Sequence, residues 1–136
     1  MPEALERIIT WQKAIELARQ IRATVRGFPD YERFELCPQL RRAATSVAAN
    51  VAEGYGRVGT KDYARFLAIA RGSAYEVFSH LTIARNDGHN VPEAVFALLE
   101  EVTRLINASI GKLSNQVREE AADYGSGEAD GAASDL

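Results

Sequence analysis

Between Gln39 and Glu76 the chain carries six cationic side chains, Arg41, Arg42, Arg57, Lys61, Arg65 and Arg71, against three carboxylates, Glu53, Asp62 and Glu76. Guanidinium groups hold phosphates and carboxylates through paired, charge-assisted hydrogen bonds. This stretch is therefore the candidate surface for nucleic acid or for an acidic partner. Asn50, Glu53 and Arg57 also follow one another at steps of three and four. On a helix that spacing brings them to one face and within mutual reach. With Glu76 they form a second candidate, a polar network that fixes helix register or a subunit contact. The spacing favours the network. Removing Glu53 from it is then expected to cost about 3–5 kcal/mol, the penalty for stranding a buried charge.

Other chemistry is sparse. His80 and His89 are not accompanied by His, Cys or carboxylate side chains at metal-site spacing, so no metal ligands are expected. His80, alone on a helix, reads as a surface or interface residue. No Glu-x-x-His pair of the di-iron bundle kind occurs. The glycines of Gly54-Tyr55-Gly56 fall between helices with no strand before them, which excludes a nucleotide-binding fingerprint. Cys37 reads as a structural thiol. Neither a nucleophile nor an acid–base pair is assembled. The expectation is a protein without catalytic residues or cofactor, one that binds rather than reacts.

Four periodic segments must position these residues. In the first, Leu5, Ile8, Trp11, Ala14, Ile15, Ala18, Ile21 and Val25 form one apolar stripe, ended by Gly27 and Pro29. The second opens at Cys37-Pro38 and runs through Leu40, Ala43, Ala44, Val47 and Val51, a stripe rich in small residues, to Gly54 and Gly56. The third starts after Thr60, an expected N-cap, with Asp62 in its first turn. Tyr63, Phe66, Leu67, Ala70, Ala74, Val77, Leu81 and Ala84 give its stripe. Its small triplet Gly72-Ser73-Ala74 is expected to lie close against the second helix, and Gly88 closes it. The fourth begins near Asn90 and Pro92, then repeats apolar residues in phase from Val95 to Val117. Short connections between four long helices predict an all-α, antiparallel up-down four-helix bundle over residues 1–120. From Ala121 to Leu136 the chain is small, acidic and aperiodic, and is expected to be disordered.

Charge is divided along the chain. All 16 Lys and Arg residues precede Glu119, while residues 119–136 hold six acids and no base. A mildly basic body thus carries an acidic tail, and the net charge of −3 is their sum. No run approaches the roughly 18 apolar residues of a membrane span. The single cysteine excludes an intrachain disulfide and suits a reducing cytoplasm.

The run from Gln39 to Arg57, QLRRAATSVAANVAEGYGR, resembles the signature of a bacterial four-helix bundle family. Its founding members are encoded in intervening sequences within 23S ribosomal RNA genes. Trp11 to Ala14, Phe28-Pro29 and the run from Phe66 to Ser73 with Glu76 extend the likeness from Leu5 to about Leu113. Such proteins are similar to the accessory protein of diversity-generating retroelements, a five-subunit barrel that binds a reverse transcriptase and nucleic acid. The resemblance therefore implies a homo-oligomer, with five subunits expected. Glu35 stands where the family has Gly, Ala48 where it has Pro, and Phe78 where it has an acid. Because the body is only mildly basic, nucleic acid is expected to bind weakly, since such binding depends on neutralising several phosphates.

Overall fold

The computed structural model describes residues 3–125. The first apolar stripe does not form one helix. Ile8 takes an extended conformation, with φ −78° and ψ 108°, and separates a single turn, α1 (Glu3–Glu6), from α2 (Ile9–Val25). The buried face of α2 is Thr10, Ala14, Leu17, Ile21 and Val25, with Ile15 on the outside. Leu17 and Thr10 replace Ile15 on the inner stripe because the face turns by about 100° per residue and centres on Leu17. After α2 the chain makes a short 3-10 turn, Asp30–Glu32.

Helix α3 (Leu36–Tyr55) takes Pro38 inside its first turn, where no intrahelical partner for its missing N–H would exist. Gly54 lies within this helix instead of ending it, and Gly56 caps it with a right-handed φ of −75°. Helix α4 (Thr60–Asn86) has Thr60 as its first residue. Gly59 occupies the cap position without a side-chain hydrogen bond, so the expected Thr60 cap is not made. The Thr60 hydroxyl instead reaches the Glu120 carboxylate at 3.5 Å. Gly88, at φ +85°, supplies the left-handed turn that releases the chain from α4.

Helix α5 (Glu93–Gly125) is longer than the sequence suggests. Residues 121–125 are helical, contrary to the expected boundary at 120. Once a helix is established each added residue costs little, and Ala121 and Ala122 are the best helix formers. The rest of the expected acidic tail, residues 126–136, lies outside the described residues.

All the secondary structure among the described residues is helical. Helix α2 packs on α3 and α5, and α4 packs on the same two helices, so the four long helices enclose one core. Leu17, Ile21, Leu40, Val47, Val51, Leu67, Val77, Leu81, Leu99, Val102 and Ile106 are fully buried there. Each such side chain contributes about 1.5–3 kcal/mol through burial. Between α3 and α4, Gly54 meets Tyr63 and Phe66, while Ser46 shares a hydrogen bond of 2.9 Å with Ser73. Contacts thus descend along one helix as they rise along the other. No described helix is long and apolar enough to cross a membrane.

Candidate functional site

The six cations expected to act together are divided among three places. At the junction of α3 and α4, Arg57 pairs with Glu53 at 2.6 Å and with Asp62 at 3.6 Å, and Arg65 pairs with Asp62 at 2.9 Å. Both guanidiniums lie over the Phe66 ring, 4.6 and 4.5 Å from its centre. The aromatic face and the carboxylates together occupy these two charges. Lys61, on the first turn of α4, is exposed. Arg71 donates to the Asn107 side chain at 3.1 Å and so faces α5. Arg41 and Arg42 lie elsewhere, on the side of α3 that meets α2.

The expected polar network is divided in the same way. The Asn50 side-chain amide donates to the Ser46 carbonyl and hydroxyl, at 2.8 and 3.0 Å, and through Ser46 reaches Ser73. Glu53 takes no part in that chain. Its side chain is 54% exposed and serves Arg57 alone. Glu76 lies 3.6 Å from His80. A register contact between α3 and α4 therefore exists, but it is carried by Ser46, Asn50 and Ser73. The hydroxyls that carry it were hidden among a stripe of small residues.

A concavity lies between the end of α2 and the start of α3. A cavity of about 390 Å³ opens there. Arg22 and Arg26 come from the last turn of α2 and its cap, Arg33 from the connection, and Arg41 from α3. Val25, Phe28, Pro29 and Cys37 form an apolar wall, and Asp30 is its one carboxylate. A second groove, about 480 Å³, continues along α3 past Arg22, Arg41 and Arg42 to Thr45 and Ser46. Cys37 is buried, with its Sγ 3.7 Å from the Val25 carbonyl. Burial pushes its thiol up from the ordinary value, against the opposing pull of Arg41, so it is a poor nucleophile. Of these cations, Arg41 and Arg42 belong to the stretch from Gln39 to Glu76. Arg22 and Arg26 are spaced by four on one helical face, a signal that was available.

A third assembly joins two connections. Nε2 of His89 lies 2.8 Å from a Glu32 carboxylate oxygen, and both side chains are more than nine-tenths buried. Phe28 and Tyr31 pack their rings against the His89 imidazole, with centres 5.1 and 5.8 Å away. The Asp87 carboxylate completes a group whose donor atoms all lie within 4.8 Å of one another. Sequence spacing concealed this group, because Glu32 and His89 are 57 residues apart. One nitrogen and two oxygens are a donor set suited to a divalent cation. Asp87 is exposed, however, and Glu32 and His89 already satisfy each other. The pair is a clamp between the α2–α3 and α4–α5 connections.

His80 differs. Its side chain is 14% exposed, and neither ring nitrogen has a hydrogen-bond partner among the described residues. It adjoins an outward face of α4 on which Ile69, Tyr75 and Ile83 are 43–51% exposed. A Cβ placed on Gly72 of that face would meet nothing within 4 Å. Ser73 and Ala74 of the small triplet face the protein, as expected, and Gly72 does not.

The family of 23S rRNA-intervening sequence proteins matches residues 6–111. This chain belongs to that family. The matched span runs from the break before α2 into α5, and it includes the arginine cavity, the Glu32–His89 clamp and the outward face of α4. Comparison with curated proteins gives no match.

Proposed function

We propose that the chain is a non-catalytic binding module that works as a homo-oligomer in the cytoplasm. Its protomer is an antiparallel up-down four-helix bundle, and five subunits is the number the family resemblance implies. The outward face of α4 carries this reading. Ile69, Tyr75 and Ile83 expose apolar surface around Gly72, and the neighbouring His80, with Glu76 3.6 Å from its Nε2, has no hydrogen-bond partner for either ring nitrogen among the described residues. Buried polar atoms are normally satisfied, and a second protomer against α4 would both cover the apolar side chains and supply a partner for His80. Light scattering over a dilution series tests the proposal. A stable assembly that dissociates in Ile69→Glu supports it. A monomer at all concentrations overturns it.

The alternative reading is an RNA- or DNA-binding accessory protein that uses Arg41, Arg42, Arg57, Lys61, Arg65 and Arg71. The positions of Arg41 and Arg42 along the α2–α3 grooves favour it. The neutralisation of Arg57 and Arg65 by Glu53 and Asp62 weighs against a continuous basic band.

A further inference from the structure

Two kinds of arginine can be told apart among the described residues. Arg19, Arg57, Arg65 and Arg85 each have a carboxylate within 4 Å, on the same helix or a neighbouring element. Those around the α2–α3 cavity do not. Arg22 donates only to the neutral Thr45 hydroxyl, at 3.0 Å. Arg33 lies over the exposed Phe34 ring. Arg26 and Arg41 have no ion pair among the described residues. Four guanidiniums with no ion pair among the described residues thus line one concavity, with Asp30 as the carboxylate of its described lining. Like charges brought together repel. An anion in the cavity would relieve it.

From this arrangement we infer that the α2–α3 cavity binds a small phosphorylated ligand. A phosphate offers several acceptor oxygens and more than one negative charge, which suits several planar guanidiniums lining one cavity better than the single charge of a carboxylate does. The volume, about 390 Å³, falls within the range of small-molecule sites. Val25, Phe28, Pro29 and Cys37 give the ligand an apolar wall. The floor is firm, because Phe28 is buried and packs on His89 of the clamp. The site lies within one protomer, so it stands independently of subunit number. It is also separate from the α3–α4 junction, where the arginines are already paired.

Calorimetric titration of the full-length protein with pyrophosphate and with adenosine diphosphate tests this inference. Saturable binding of one ligand per protomer is expected, weakened at least about tenfold in Arg26→Gln and in Arg33→Gln. Both side chains belong to exposed residues outside the core, so these variants keep the fold, which circular dichroism checks. Arg65→Gln, at the other site, binds as the wild type does. Tighter binding of the nucleotide than of pyrophosphate assigns the apolar wall to the organic part of the ligand. Tighter binding of pyrophosphate assigns the site to the phosphate groups alone, which still satisfies the inference. Absence of binding by either compound overturns it. So does binding indifferent to Arg26 and Arg33, or binding only of an oligonucleotide.

Discussion

A Cβ atom on Gly54 would lie 2.8 Å from the Cβ of Phe66, and 3.0 Å from the Tyr63 carbonyl oxygen. Helices α3 and α4 therefore touch, at this point, through a residue without a side chain. Alanine favours a helix over glycine by about 1 kcal/mol, so an exposed Gly54 would gain from replacement. Here the added methyl meets backbone and the root of a side chain, neither of which can swing away. Gly54→Ala is expected to destabilise the protein by about 1–3 kcal/mol, the range for overpacking. A chemical denaturation midpoint above that of the wild type would contradict this.

Gly111 is the opposite case. It lies within α5, and a Cβ there would meet nothing within 4 Å. Gly111→Ala should raise stability by about 0.5–1 kcal/mol, since only the backbone entropy of the unfolded chain changes. The same denaturation measurement, read in the other direction, checks it.

Two glutamates contrast exposure with burial. Glu53→Ala removes half of an exposed pair with Arg57 and should alter stability by less than about 1 kcal/mol. This replaces the larger loss expected from spacing, which took Glu53 to be buried. His89→Ala strands the Glu32 carboxylate among buried atoms and should cost about 3–5 kcal/mol. Equal midpoints for the two variants would show that burial does not separate them.

Tyr63 gives the α3–α4 junction a pH dependence. Burial, with a smaller contribution from Tyr55, pushes its phenol up from the ordinary value of 10.0. The folded protein thus favours the protonated phenol. Its contribution to stability is complete below the unfolded value and is lost as pH rises through the folded one. Denaturation midpoints should fall above about pH 10, and the fall should be shallower in Tyr63→Phe. An unchanged slope in that variant would place the alkaline sensitivity elsewhere.

Much of this architecture was legible because apolar periodicity is a local signal. The stripes of α4 and α5 contain nearly every residue those helices bury, and Gly88 marks a turn only glycine adopts readily. The junction at Ile8 was not legible, since an apolar residue fits the stripe whether or not the helix continues. Gly54 was read as a helix end because glycine serves both as terminator and as a point of close approach. The difference lies in Phe66, on another helix. The sites were less legible still. The stretch from Arg41 to Arg71 looked like one surface when read along the chain, but α3 and α4 present its members to different neighbours. The arginine cavity draws on α2, a connection and α3, and the clamp draws on two connections. The clamp has no spacing to recognise, and the cavity shows along the chain only in the step of four between Arg22 and Arg26.

Between Glu32 and His89 the chain travels the whole of α3 and α4, so their contact closes a loop of 57 residues. The Ser46–Ser73 contact inside that loop spans only 27. Closure entropy grows with length, and a long loop is closed more cheaply once the segment within it has already folded back on itself. The hairpin of α3 and α4 is therefore expected to zip before the clamp engages. An interaction made after the rate-limiting step leaves the refolding rate unchanged and falls on the unfolding rate instead. The buried glutamate and histidine are thus expected to act as a latch, setting how long the native state survives and not how fast it is reached.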